Sequence, residues 1–234
     1  MKSKFITTFV MGLLLVNSAM AVDSGGNSVY IDQTNADVSA VSITQTGANN
    51  VVGGDVTGGA FVLDGGGITF TTTQNGMGNA IYGNFIGGFS TGTINQDGNS
   101  NTTTLTMGNL GTDNGLLSIG IAGNTNTTSM TIGATANASN YNYSLSITGD
   151  SNAVTSVINS KNTYNSITLA GSNNTVSTTQ NGANGTALTG GHSLTLNTIG
   201  SGNTITTLQN GTTTPNTAII NVTGNNSTVS VTQH

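Results

Sequence analysis

Short runs of alternating apolar and polar residues recur along the chain, and each is broken by a Gly-x-x-Asn tetrapeptide. Val41, Ile43 and Gln45 precede Gly47; Ile167 and Leu169 precede Gly171; Ile220 and Val222 precede Gly224. The alternation resumes after the break, as in Val176 to Gln180 and Val229 to Gln233. Successive side chains of a strand point to opposite faces, so each run predicts a strand with one buried face. The unit is therefore strand, tight turn, strand. Glycine suits a turn that requires positive φ, and the asparagine is expected to share that backbone region.

The turn glycines are Gly47, Gly76, Gly98, Gly123, Gly149, Gly171, Gly200 and Gly224. The matching asparagines are Asn50, Asn79, Asn101, Asn126, Asn152, Asn174 and Asn203, with Ser227 in the eighth place. The glycines are 29, 22, 25, 26, 22, 29 and 24 residues apart, a spacing that signals stacked repeats. An 18-residue block around each glycine leaves joining segments of 11, 4, 7, 8, 4, 11 and 6 residues. Insertions thus collect on one edge, as stacking requires. The fold expected is all-β: a β-solenoid of about eight strand-turn-strand rungs forming two parallel stacked sheets, roughly 40 Å long at ~4.8 Å per rung. Residues 27–38 resemble half a rung, since Val29, Ile31 and Gln33 repeat the pattern of Val41, Ile43 and Gln45. The organisation expected is a leader over 1–21, an N-terminal half-rung or cap over 22–38, and the repeat domain over 39–234.

Counting by parity from each glycine assigns an inward set. It includes Ile43, Phe70, Ile81, Leu105, Ile119, Ile147, Leu169, Leu196 and Val222. Asn at each turn and Gln at some strand ends interrupt this apolar interior. A buried amide is costly unless hydrogen-bonded, and identical amides one rung apart can bond along the stacking axis. The asparagines are therefore expected to form one ladder. The outward set after the turn is rich in hydroxyls: Thr102, Thr104 and Thr106, then Thr127, Ser129 and Thr131, then Thr175, Ser177 and Thr179. Threonine fills outward strand positions for β-propensity and solubility alone. The sharper alternative is a Thr array that binds ice or a surface polysaccharide, weakened by Val157 and Leu208 in the same rows.

Composition narrows the function classes. Three cations occur in the chain, and two of them, Lys2 and Lys4, precede an apolar stretch from Phe5 to Val16 centred on Leu13, Leu14 and Leu15. Ala19-Met20-Ala21 completes a secretory signal pattern. The stretch is short of the ~20 residues of a membrane span, so a secreted or surface-exposed product with no later span is expected. Lys161 is then the one remaining cation, which leaves nothing to neutralise nucleic-acid phosphates. No cysteine is present, so no disulfide framework holds the fold.

Enzymatic chemistry needs a poised acid, base, nucleophile or metal. His192 and His234 lie apart from acid clusters, and His192 is expected on the surface. The eight acids are scattered aspartates, and Asp64-Gly65-Gly66-Gly67 reads as a flexible connection. The expectation is no enzyme, no cofactor and no metal.

The repeat resembles the curlin units of bacterial curli amyloid, Ser-x5-Gln-x4-Asn-x5-Gln with Gly two after the first Gln. Ser39, Gln45, Gly47 and Asn50 match in the first unit; Gln74, Gly76 and Asn79 in the second; Ser90, Gln96, Gly98 and Asn101 in the third. Later units keep the other glutamine: Asn174 with Gln180, Asn203 with Gln209, and Gln233 after Gly224. Units four and five carry Ile121, Ile132, Ile147 and Ile158 instead. The resemblance implies an extracellular, self-assembling fibre subunit of biofilm matrix or adhesion. An uncapped solenoid end supports this, because unpaired strand edges template further strands. The expected assembly edge is Val229, Val231 and Gln233, with proline at Val231 as a blocking substitution. Beside this fibre reading stand a monomeric Thr-faced binding module and, least supported, a β-helix polysaccharide lyase.

Overall fold

The computed structural model describes residues 6–11, 18–22, 25–35, 39–53, 59–86, 91–107, 116–132, 142–159, 164–182, 192–211 and 216–234. The segments joining most successive rungs lie outside these residues, as do Leu13 to Leu15 and Lys161. The described chain is all-β. Its N-terminal strands are β1 (Ile6–Met11), β2 (Ser18–Val22), β3 (Ser28–Thr34), β4 (Ala40–Ala48), β5 (Val51–Gly53) and β6 (Phe61–Asp64). The middle holds β7 (Thr69–Met77), β8 (Ala80–Ile86), β9 (Thr91–Asp97), β10 (Thr102–Met107), β11 (Leu116–Ala122) and β12 (Thr127–Ile132). Then come β13 (Asn142–Thr148), β14 (Ala153–Asn159), β15 (Tyr164–Ala170) and β16 (Thr175–Gly182). The last four are β17 (Ser193–Ile199), β18 (Thr204–Gly211), β19 (Thr217–Thr223) and β20 (Thr228–Gln233).

Strands before the turns stack in the order β4-β7-β9-β11-β13-β15-β17-β19, and those after the turns in the order β3-β5-β8-β10-β12-β14-β16-β18-β20. Every pair within these stacks is parallel, which makes the architecture a β-solenoid. The register repeats without slip: Gly47 lies beside Gly76, and Gln180 beside Gln209. One face of each strand inside the stacks is buried, so a one-residue slip would expose its whole apolar set.

The inward parity holds. Ile43, Ile81, Leu105, Ile119, Ile147, Leu169, Leu196 and Val222 are all buried in one continuous core. Aromatics fill its N-terminal part. Phe61 stacks on Phe70 at 4.8 Å between ring centres, and Phe70 meets Phe85 at 6.1 Å. Gly92 makes room for them, since a Cβ there would come within 2.9 Å of Phe85. The interior is more polar than expected: Thr72, Thr103, Thr128, Ser156, Thr178 and Thr207 also point inward and are buried.

The turns correct one expectation. The first residue is glycine with φ of 108–133°, as required, but the second left-handed residue is the one two places later. Asn49, Ser100, Thr125, Ser151, Asn173 and Asn226 hold that place at φ near 55–59°, and Gly78 and Gly202 hold it in their own rungs. The motif asparagine itself is not left-handed; its side chain gives it a different task.

The N-terminal region departs from the expected plan in four ways. Residues 28–34 match Val41 to Gln45 in pattern, yet β3 stacks on β5 and β6, in the sheet of after-turn strands. It is thus the second half of a rung, with Asn27 in the turn-asparagine place. The first rung's after-turn strand is split, with β5 and β6 sharing one slot on β8. Asp64 to Gly67 is a defined corner rather than a flexible connection. Gly65 and Gly67 have positive φ, Gly65 N donates to Thr34 O, and Asn35 Nδ2 donates to Asp64 Oδ1 at 3.1 Å. Lastly, β1 pairs with β4 and β2 with β3, both antiparallel.

Candidate functional site: amide ladders and open edges

At the turn, each asparagine side chain enters the interior and finds the next one along the axis. Asn50 Nδ2 and backbone N both donate to Asn27 Oδ1, and Asn79 does the same to Asn50. The series continues through Asn101, Asn126, Asn152, Asn174 and Asn203. Each Nδ2 also donates to the turn glycine carbonyl of the following rung, as Asn152 does to Gly171 O at 2.8 Å. The predicted ladder is therefore present and one member longer, because Asn27 begins it. Asn27 lacks the Gly three residues earlier that identifies the others. Ser227 ends the series, and its backbone N donates to Asn203 Oδ1.

The glutamines form two further ladders on opposite sheets. In the pre-turn sheet Gln45 Nε2 donates to Gln74 Oε1 at 2.8 Å and Gln74 Nε2 to Gln96 Oε1 at 2.9 Å. In the after-turn sheet Gln180 donates to Gln209, and Gln209 to Gln233, at 2.8 and 3.0 Å. The two halves of the repeat pattern that fade in complementary units are thus separate structures. Between the ladders the same columns hold Ile121, Ile147 and Ile158, which need no partner.

A fourth ladder, absent from the sequence expectations, runs along the outside of the turns. From the third rung onward the residue after the turn glycine presents an acceptor on the outer side: Asn99 N and Nδ2 donate to Asn124 Oδ1, and Asn124 N and Nδ2 donate to Asp150 Oδ1. Asp150 N then donates to Ser172 Oγ, Ser172 N to Ser201 Oγ, and Ser201 N to Asn225 Oδ1. The mixture of Asn, Asp and Ser hides this position in the sequence, although each is a short side-chain acceptor. Its polarity is opposite to that of the inner ladder, with acceptors on the following rung.

The Thr rows lie outward and in register, with Thr102 beside Thr127 and Thr175 beside Thr204. Ala153, Val157 and Leu208 interrupt them. His192, expected on the surface, is buried. Its Nε2 lies 2.8 Å from Asn181 O and 3.4 Å from Gly211 N, and its Nδ1 accepts from Asn216 N at 3.1 Å. The ring closes a rung corner, so its place is structural. Burial raises the Tyr143 phenol above its ordinary pKa; the nearby Ser156 hydroxyl offsets part of this without reaching hydrogen-bond geometry. Among the described residues no group of three His, Cys, Asp or Glu converges as a metal site. No helix among them is long and apolar enough to cross a membrane.

The C-terminal rung is uncovered. Among the described residues β19 pairs with β17 alone and β20 with β18 alone. Val229 and Val231 are partly buried against the core, whereas Ile205, in the same column as Val229 one rung inward, is fully buried. The register refines which groups form the edge. The first N–H of each after-turn strand donates to the next rung, as Thr175 N does to Asn203 O and Thr204 N to Ser227 O. By this alternation Thr228, Ser230 and Thr232 aim their backbone groups at the open side. Val229, Val231 and Gln233 supply the inward side chains beneath it. A proline at Val231 would therefore break the fold's own pairing with β18, and Ser230 is the position that blocks the edge alone.

No family model matches this chain, and no curated protein or solved structure does.

Proposed function

We propose that the chain is an exported structural protein, a curlin-like subunit whose copies add strand to strand into extracellular amyloid-type fibres for matrix, adhesion or surface attachment. The observation that carries this reading is the uncovered C-terminal rung. Among the described residues both of its strands pair on one side only, and Gln233 continues the Gln180–Gln209 amide ladder to the edge. Unpaired strand edges recruit further strands, and identical amides in register strengthen such stacking. Low charge offers little repulsion: eight Asp against three Lys in the whole chain. The partner in this reading is another copy, with no cofactor and no catalytic step.

The test is seeded assembly of purified residues 22–234, followed by amyloid-dye binding. Wild type elongates its own seeds, and Ser230→Pro folds but does not. Growth of Ser230→Pro at the wild-type rate would remove the C-terminal edge from the account. A monomer that never binds dye would sink the fibre reading. The in-register Thr rows would then favour a monomeric module binding ice or polysaccharide.

A further inference from the structure

The N-terminal end of the solenoid is closed by the leader, and in a manner unlike any other pairing among the described residues. Strand β1 runs antiparallel along β4 from Ile6 beside Thr46 to Met11 beside Val41. Strand β2 runs antiparallel along β3 from Ser18 beside Asp32 to Val22 beside Ser28. All other strand pairs in the described residues are parallel. The two leader strands thus occupy the first position on each sheet, where a preceding parallel rung would otherwise lie. The boundary expected for leader removal, after Ala21, falls inside β2 and would detach β1 and nearly all of β2.

The strand that removal uncovers matches the far end of the molecule. Register places Gln33 in one column with Leu63, Phe85, Ile158, Gln180, Gln209 and Gln233. Glutamine stands at both ends of this column and apolar residues fill its N-terminal interior. Gln180 and Gln209 each donate to the glutamine of the next rung, so the remaining amide hydrogen of Gln233 points along the axis past the last described rung. Placing β3 of a second copy on β20 in the solenoid's own register sets Gln33 against Gln233. The same placement sets Asn27 against Ser227, Val29 against Val229 and Ile31 against Val231. In the pre-turn sheet this docking leaves one strand-wide notch beside β4, the place β1 fills in the uncut chain.

We propose that β1 and β2 are a removable cap. They hold the N-terminal edge closed until the leader is cut, and the uncovered β3 then receives β20 of a second copy in the Gln33–Gln233 register. This rests on the fibre reading, and the test separates the two. The full chain 1–234 and residues 22–234 are purified and compared by amide hydrogen exchange and by dye-detected assembly. The proposal expects the β3 and β4 amides that face β2 and β1 to be protected in 1–234 and to lose protection in monomeric 22–234, while those facing β5, β6 and β7 keep it. It also expects fibres from 22–234 and none from 1–234 until the leader is cut. Equal protection in the two forms, or equally rapid assembly, overturns the cap and leaves the fibre reading standing. If neither form assembles, the fibre reading and the docking register fail, and the exchange comparison alone decides the cap. Register is read separately. The chain has no cysteine, so fibres of Gln33→Cys, Gln233→Cys should cross-link between copies, since stacked strands lie ~4.8 Å apart and within disulfide reach. Cross-linking instead in the offset pair Asp32→Cys, Gln233→Cys would overturn the register.

Discussion

Replacing Asn152 by alanine tests whether the inner ladder stabilises the fold through burial or merely decorates it. The side chain makes four hydrogen bonds. Nδ2 donates to Asn126 Oδ1 at 3.0 Å and to Gly171 O at 2.8 Å, and Oδ1 accepts Asn174 N and Asn174 Nδ2, both at 3.0 Å. Truncation leaves two donors of Asn174 without an acceptor in a place with no solvent exposure. An orphaned buried polar group costs about 1–3 kcal/mol, so a loss of about 2–6 kcal/mol is expected, with the Gly171 carbonyl adding to it. Asn124→Ala is the matched control. It removes three side-chain bonds of the same kind from the exposed outer ladder, where water replaces them and the loss should be about 0.5 kcal/mol. Urea denaturation of monomeric protein measures both, and amide exchange locates the Asn152→Ala defect at the fifth and sixth rungs. Equal losses in the two variants would refute the desolvation argument, because the bond counts are similar and only burial differs.

Two further outcomes follow from the interior and the turns. Thr207→Val should raise stability by about 1 kcal/mol in the same assay, since Thr207 Oγ1 is buried without a partner and the methyl fills the same space. Gly123→Ala should cost about 2–4 kcal/mol, because its Cβ would lie 2.0 Å from Gly149 O at φ +133°. Gly224→Ala has the same backbone strain but meets no atom within 4 Å, so its thermal shift should be clearly smaller.

The solenoid was legible in the sequence because two periods coincide. Alternation of two gives strands with one buried face, and the recurring Gly-x-x-Asn gives the rung, so parity alone locates residues such as Ile147 and Leu196. What parity could not show is which atoms the polar residues meet. Thr103 and Thr128 look like the outward threonines by type, yet they occupy inward positions. The outer ladder has no visible motif because Asn124, Asp150 and Ser172 share a chemistry rather than an identity. His192 resembled a lone surface residue, since its partners at Asn181 and Asn216 are a backbone carbonyl and a backbone N–H that no motif reports. The half-rung at Val29 to Gln33 fits either sheet by pattern; its pairing with β5 and β6 and the Asn27 ladder bonds assign it to the after-turn one. The antiparallel strands β1 and β2 have no sequence signature, because an apolar N-terminal stretch of this length reads as a targeting segment whatever it pairs with.

Fibre diffraction from assembled, aligned residues 22–234 tests the central claim most directly. Strand-edge stacking of intact solenoids predicts a meridional reflection near 4.8 Å and an equatorial one near 10 Å, from fibres that Ser230→Pro does not form. A chain that stays monomeric at high concentration, or fibres that lack the meridional spacing, would contradict it.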